Sequence, residues 1–106
     1  MLTTYENLVR EHYHNPYLTN ADLARKLAVS ERKLYRHVMQ EYGLSPNHYL
    51  RRVRLTKAAD LVRSGRYATV KEVALRVGFL KVSYFSRLYA DAFGVRPVVQ
   101  LRPDYN

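Results

Sequence analysis

The fold can be predicted from residues 69–94, TVKEVALRVGFLKVSYFSRLYADAFG. Thr69 begins this stretch with a hydroxyl that can cap a helix, and Glu72 follows three residues later as its capping partner. Apolar residues then recur at helical spacing as far as Gly78, where glycine allows a sharp turn. A second helical pattern ends at Gly94, a residue that favours the left-handed end of a helix. The stretch predicts a short helix, a tight turn and a longer helix.

Residues 19–43, TNADLARKLAVSERKLYRHVMQEYG, contain the same unit at an offset of 50 residues, which becomes 51 after one extra residue in the turn. The matches keep their order and chemical type: a cap, core residues, a small residue, an arginine and a glycine. The ordered series indicates a true internal duplication. The aligned pairs are Thr19 with Thr69, Leu23 with Val73, Ala24 with Ala74, Leu34 with Phe85, Arg36 with Arg87, and Gly43 with Gly94.

Helical patterns also lie before and between the two repeats. Thr3 and Glu6 have the spacing of a capping box, and the helix that they open is expected to run to Asn15-Pro16. Ser45-Pro46 starts a helix with nothing to break it before Ser64-Gly65, a length of roughly 28 Å. The predicted inner face of this helix consists of Tyr49, Leu50, Val53, Ala58, Leu61 and Val62.

We therefore predict an all-α fold with two helix-turn-helix lobes joined by a long linker helix. Residues 1–106 are interpreted as a single domain, and paired helix-turn-helix units of this kind are typical of DNA-binding domains. Within it, lobe one covers about 4–44, the linker helix about 46–64 and lobe two about 66–98.

The charge distribution limits the class of partner. The chain of 106 residues has 18 Lys and Arg against 9 Asp and Glu. Residues 51–106 contain 12 of the basic and only 4 of the acidic side chains. This asymmetry favours a polyanion, with nucleic acid as the first candidate and an anionic membrane surface as the second. A solvated basic surface that only keeps the protein soluble is the alternative.

Several classes of protein are disfavoured. The chain has no cysteine, which excludes disulfides and thiolate chemistry and suits a reducing cytoplasm. His12 and His14 are two residues apart on a helix and point in different directions, while His37 and His48 lie on separate elements. No glycine-rich phosphate loop, catalytic Ser–His motif or membrane-length apolar run is present. We expect no enzyme activity, no metal, no cofactor and no membrane partner.

Several motifs resemble those of the AraC/XylS-type transcription regulators, in order and over residues 5–97. They include VALRVGF at 73–79, SYFSR at 83–87, FGVRP at 93–97 and YLRRVRL at 49–55. The resemblance implies a bacterial, all-helical unit that binds double-stranded DNA sequence-specifically and controls transcription. It implies one recognition helix per lobe in the major groove. It also implies RNA polymerase as a partner, and a missing N-terminal sensing or receiver domain if the chain is an excised output domain instead of a stand-alone regulator.

Two departures from the family pattern affect the second lobe. The family places small or acidic residues that cap the recognition helix at the positions of Leu80, Lys81 and Val82. Losing that cap is expected to reduce the stability of the helix by about 1 kcal/mol. Gln100 stands where the family has an aromatic residue, so we expect the segment 98–106 to be frayed or rearranged.

Helical geometry selects the candidate base contacts. On the first recognition helix Leu34 and Val38 point inward, and on the second Phe85, Tyr89 and Phe93 do so. The outward arginines can bond bidentately to guanine O6 and N7, and a phosphate contact or a merely exposed side chain is the alternative. The candidate base contacts are Arg32, Tyr35, Arg36, Val82, Ser83 and Arg87.

The candidate phosphate contacts fall into two groups, basic or hydroxyl side chains and helix caps. For the linker arginines the alternative is a solvated face with Arg54 tied to a core carboxylate, and for the hydroxyls it is capping alone. The candidates are Thr19, Ser30, Arg51, Arg52, Arg54, Thr69, Lys81 and Ser86.

A helical protein-interaction module that binds an acidic partner is the alternative function of the chain. RNA binding is disfavoured, because the sequence contains no recognisable RNA-binding module.

Overall fold

A computed structural model describes the backbone of residues 2–103 and the side chains of residues 4–103. Within this part of the chain the structure contains seven α-helices and no strand, as the all-α prediction requires. None of the described helices is both long and apolar enough to span a membrane. The helices are α1 Leu2–His12, α2 Asn20–Lys26, α3 Glu31–Tyr42, α4 Pro46–Ser64, α5 Val70–Arg76, α6 Val82–Phe93 and α7 Pro97–Gln100.

The chain forms two compact units, Met1–Val53 and Arg54–Asn106, and the boundary between them falls inside α4. The first unit contains α1, α2, α3 and the start of α4, and the second contains the rest of α4 with α5, α6 and α7. Each unit includes one copy of the repeated helix–turn–helix.

The two copies have matching helix lengths and ends. The first helix has 7 residues in both copies and the second has 12. Thr19 and Thr69 are the N-caps of the short helices, and Gly43 and Gly94 end the long ones in the left-handed conformation. The duplication predicted from the sequence is therefore present in the backbone.

The turn is closed by the same backbone bonds in both copies. The N–H of Val29 donates to the carbonyl of Ala24 at 3.0 Å, and that of Phe79 donates to Ala74 at 2.9 Å. The turn residue is left-handed in each, Ala28 with φ 57° and Gly78 with φ 99°. An alanine in this conformation costs roughly 1–2 kcal/mol, so the turn geometry is kept despite the side chain.

The first unit buries one apolar cluster beneath its helix–turn–helix. Leu23 and Ala24 of α2 meet Leu34 and Val38 of α3, and α1 covers them. The hydroxyl of Tyr42 donates to Glu6, which links the end of α3 to α1. The cluster consists of Tyr5, Val9, Leu23, Ala24, Leu34, Val38 and Leu50.

The second unit is built on aromatic side chains. Phe79, Phe85 and Tyr89 form a chain of ring contacts, with centroids 5.2 and 5.7 Å apart. Aliphatic side chains of α4 and α5 are buried in the same unit. The buried residues of this unit include Leu55, Ala58, Ala59, Val62, Val73, Ala74, Val77, Phe79, Phe85 and Tyr89.

Several local predictions need correction. The first helix begins at Leu2, so Thr3 lies inside it and is not its N-cap, and the helix ends at His12 and not at Asn15. The single inner stripe drawn along α4 missed Leu55 and Ala59, because each unit buries its own set of α4 residues.

Phe93 was predicted on the inner face of the second recognition helix, but 42% of its surface is exposed. It is the last residue of α6, where the helix runs beyond the core, although its ring still contacts Tyr89 at 4.6 Å.

Residues 98–106 were expected to be frayed or rearranged, and fraying is wrong for the residues that directly follow Pro97. Val98, Val99 and Gln100 belong to α7, and the hydroxyl of Tyr89 donates to the Gln100 side chain. The side-chain amide of Gln100 therefore makes a polar contact at the position where the family has an aromatic residue. Residues 104–106 of the predicted tail lie outside the described part of the chain.

We expect Phe85→Ala to destabilise the protein by about 3–5 kcal/mol, because the ring is fully buried. Phe93→Ala removes the same group from the same helix at an exposed position, so its cost should stay below about 1.5 kcal/mol. Thermal and urea unfolding of the whole chain measure both values. Equal losses would contradict the assignment of Phe85 to the core and of Phe93 to the surface.

Candidate nucleic-acid interface

Helix α3 presents a polar and basic face opposite its buried side chains. Ser30 caps it by accepting a hydrogen bond from the Lys33 N–H at 3.1 Å. Burial of Leu34 and Val38 fixes the rotation of the helix about its axis. As a result three predicted base contacts, Arg32, Tyr35 and Arg36, are all exposed.

Helix α6 repeats this arrangement on the aromatic core of the second unit. Phe85 and Tyr89 are buried, which turns Ser83 and Arg87 outward as predicted. Val82 and Ser86 are only half-exposed, so they lie at the border of the outward face.

The first turn of α6 differs from that of α3. Its N-cap is Lys81, and no side-chain hydrogen bond caps the helix within the described part of the chain. This agrees with the loss of a cap predicted from Leu80, Lys81 and Val82. Lys81 is exposed at the start of α6.

Arg87 lies against an aromatic ring on its own helix. Its guanidinium carbon is 5.5 Å from the centroid of the Tyr84 ring, three residues earlier. The distance is within the range of a cation–π interaction. The sequence interpretation missed this contact, although the spacing of three residues on a helix was a signal that could have revealed it.

Arg54 stacks in a similar way on the turn of the second unit. Its guanidinium carbon is 5.9 Å from the centroid of the Phe79 ring. Burial lowers the pKa of Arg54 below the ordinary arginine value. The face of this side chain is therefore in contact with the protein, whereas Arg52 is exposed and Arg51 is half-buried.

The three predicted capping hydroxyls all act as caps. Thr19 accepts from the Asp22 N–H at 3.1 Å, and the Asp22 carboxylate accepts from the Thr19 N–H at 3.0 Å, which completes a capping box. Thr69 accepts from the Glu72 N–H at 3.2 Å but donates its hydroxyl to the Glu72 carboxylate. All three caps are exposed at helix ends, as a phosphate contact requires.

No group of three or more metal-ligating side chains occurs among the described residues. His48 instead contacts the cap of α4, with its Nδ1 2.8 Å from the Ser45 hydroxyl. The outward faces of α3 and α6 thus offer guanidinium, hydroxyl and aromatic groups, which suit hydrogen bonding to base edges and phosphates.

Comparison with known proteins agrees with this chemistry. Residues 23–102 match the profile of a helix-turn-helix domain family. The HTH-type transcriptional activator RhaS of Escherichia coli is 39% identical over 75 residues, which is 71% of this chain and 27% of RhaS. The chain thus spans about a quarter of the length of the curated relatives that it matches.

Two solved structures share the fold over nearly the whole chain. A probable AraC family transcriptional regulator from Rhodopseudomonas palustris has a TM-score of 0.82 at 29% identity, with 96% of this chain and 94% of that chain covered. The DNA-binding domain of AdpA, a global transcriptional factor in complex with a target DNA, has a TM-score of 0.86 at 25% identity, with 94% and 88% covered.

The chain belongs to the AraC-type helix-turn-helix family of DNA-binding domains from transcription regulators. This is a family of DNA-binding domains and not of enzymes.

The capping box of α2 predicts a specific response to acid. The backbone hydrogen bond from Thr19 lowers the pKa of Asp22 below its ordinary value of 3.8. A group whose pKa is lowered in the folded state stabilises the protein at pH values above its unfolded-state pKa. This stabilisation is lost as the pH falls through the folded-state pKa. Asp22→Asn should therefore reduce stability near neutral pH and weaken the loss of stability below about pH 4.

Urea unfolding at a series of pH values measures this effect. Parallel stability profiles for the parent protein and Asp22→Asn would contradict it. Thr19→Ser keeps a hydroxyl and a backbone N–H at the cap, so it is the matched control and should retain the acid dependence.

Proposed function

We propose that this domain binds duplex DNA in a sequence-specific manner to regulate transcription, with α3 and α6 as two major-groove recognition helices. Each helix reads its own segment of the site. Hydrogen bonds and apolar contacts to base edges supply the sequence preference. Basic side chains and helix ends bind the phosphates of the DNA backbone.

The exposure of Arg36 and Arg87 is the observation that carries this proposal. They occupy equivalent positions in the repeat, each two residues after a fully buried core residue. The buried residue determines which way the helix faces, so both arginines extend from the surface at a fixed place. A planar guanidinium on such a helix suits the O6 and N7 acceptors of guanine. The similarity to the AdpA domain that was solved with its target DNA supports the same conclusion.

The proposed contacts follow the outward faces. Arg54 stays in the phosphate set because its guanidinium carries a positive charge and the residue is only half-buried. The base contacts are Arg32, Tyr35, Arg36, Val82, Ser83 and Arg87. The phosphate contacts are Thr19, Ser30, Arg51, Arg52, Arg54, Thr69, Lys81 and Ser86.

The domain acts as one DNA-binding unit, with lobe one at about 4–44, the linker helix at about 46–64 and lobe two at about 66–98. RhaS is a transcriptional activator about four times the length of the matched region, which supports a larger regulator. We propose that the additional part of such a regulator is an N-terminal sensing or receiver domain. Recruitment of RNA polymerase is the proposed route to activation. Access to DNA places such a regulator in the bacterial cytoplasm.

Selection of bound sites from a random pool of duplex DNA tests the proposal directly. We expect enrichment of an extended motif with two separable segments. The absence of enrichment at low salt would contradict DNA reading and favour a module that binds an acidic protein partner.

The two arginines should act on different parts of the selected motif. Arg36→Ala should relax the preference in one segment and Arg87→Ala in the other, each by about 1–3 kcal/mol at one base pair. Each variant is a control for the other, because the substitution is identical and only the unit differs. A base-by-base preference profile that blurs at the same base pair in both variants would contradict two independent recognition helices.

The linker arginines should act on affinity without changing sequence preference. Arg51→Ala with Arg52→Ala should weaken binding to specific and random duplexes alike and reduce the salt slope by up to about one unit per lost phosphate contact. Arg63→Ala is the control, since Arg63 lies on the same helix and pairs with Asp60 at 2.7 Å. A loss confined to one base pair would assign Arg51 or Arg52 to base reading instead.

A further inference from the structure

The surroundings of the two equivalent arginines are different. Arg87 has Tyr84 three residues before it, with its guanidinium over the ring at 5.5 Å. The repeat places Lys33 at the corresponding position before Arg36. The guanidinium of one arginine therefore lies over an aromatic ring, whereas the other arginine follows a side chain of like charge.

The ring of Tyr84 is itself positioned by the core of the second unit. It packs against the Phe79 ring in an edge-to-face arrangement, with centroids 6.2 Å apart and an angle of 66° between the planes. Phe79 is buried with only 6% of its surface exposed, and it contacts Phe85 at 5.2 Å. Arg54 covers Phe79 at 5.9 Å. These contacts place Tyr84 on a framework of packed side chains, although 39% of its own surface is exposed.

A stacked guanidinium keeps its hydrogen-bonding capacity. An aromatic ring contacts the flat face of a guanidinium group. The five N–H donors lie in the guanidinium plane and point outward from its edges, so they stay directed away from the ring. A long side chain that is already held in one orientation loses less conformational freedom when it binds.

We propose that Tyr84 is a positioning residue for base recognition by Arg87, because its ring holds the guanidinium plane in the orientation that a guanine edge accepts. This inference rests on the proposed function, since it takes Arg87 as a residue that reads DNA. Tyr84 acts through Arg87 and not through a contact of its own with a base.

The test compares Tyr84→Leu with Tyr84→Phe at the base pair that Arg87→Ala blurs. Leucine keeps an apolar side chain against Phe79 but removes the ring, whereas phenylalanine keeps the ring and removes the hydroxyl. Tyr84→Leu should reduce discrimination at that base pair by about two- to fivefold, the strength of an exposed cation–π contact. Tyr84→Phe should retain the parent discrimination, and thermal unfolding establishes that both variants are folded.

The same substitution in an Arg87→Ala background separates positioning from direct contact. If Tyr84 acts through Arg87, then Tyr84→Leu should cause no further loss at that base pair once Arg87 is absent. A further loss of the same size would overturn the proposal, because Tyr84 would then contact the DNA itself. An equal loss in Tyr84→Phe would also overturn it, because the hydroxyl and not the ring would be responsible.

Lys33→Leu in α3 is the matched control for the repeat. It changes the corresponding position of the first unit and should leave discrimination at the Arg87 base pair unchanged. A change there of the same size as that caused by Tyr84→Leu would overturn the proposal, since the effect would not depend on the ring beside Arg87.

A measurement on the free protein distinguishes failure of this inference from failure of the proposed function. The Nε–H resonance of Arg87 should show a ring-current shift and restricted motion that Tyr84→Leu removes and Tyr84→Phe retains. If the stack is present but Arg87→Ala changes no base preference, the proposed role of Arg87 in DNA reading is wrong. If Arg87→Ala blurs a base pair but Tyr84→Leu does not, only the positioning role is wrong.

Discussion

The hydrogen bond that closes each helix–turn–helix is the constraint on which the arrangement of the recognition helices depends. In both units the N–H of the residue after the left-handed turn position donates to the carbonyl of the alanine, Val29 to Ala24 and Phe79 to Ala74. Since this bond joins two backbone groups, it does not depend on the side chains that face outward. The direction in which α3 or α6 leaves the turn is therefore independent of the side chains on the outward face of that helix.

That independence explains how one backbone unit carries two different surfaces. Helix α3 begins at a serine cap and continues with charged and polar outward side chains, whereas α6 begins without a side-chain cap and with apolar neighbours. The core beneath also differs, with aliphatic residues under α3 and the linked rings of Phe79, Phe85 and Tyr89 under α6. The aromatic core extends to Tyr84 and, through it, to Arg87. In the second unit the packed core is therefore in contact with the outward arginine through Tyr84. The first unit has Lys33 at the equivalent position, which has no aromatic ring to make such a contact.

The basic side chains are not equivalent, although the sequence groups them together. Arg52 is exposed, Arg51 is half-buried, and Arg54 has lost enough solvent to lower its pKa while it covers Phe79. An arginine can bury the face of its guanidinium on an aromatic ring and keep polar edges for other contacts. Position on the helix therefore determines how much of each guanidinium group is exposed to solvent.

The helices, the caps of the two repeated units and the duplication could be predicted from the sequence, because helix ends depend on contacts within a few residues. Thr19 with Asp22, Ser30, Gly43 and Gly94 act locally, so their roles could be read from the spacing alone. The outward direction of Arg36 and Arg87 could also be predicted, since helical periodicity fixes it once Leu34 and Phe85 are known to be buried. Packing within each unit decided which residues of α4 are buried there, that Phe93 lies beyond the core, and that Gln100 contacts Tyr89. It also decided that Arg54 stacks on Phe79, a residue 25 positions away in the sequence. These features depend on which helices meet and where, and periodicity along a single helix does not contain that information.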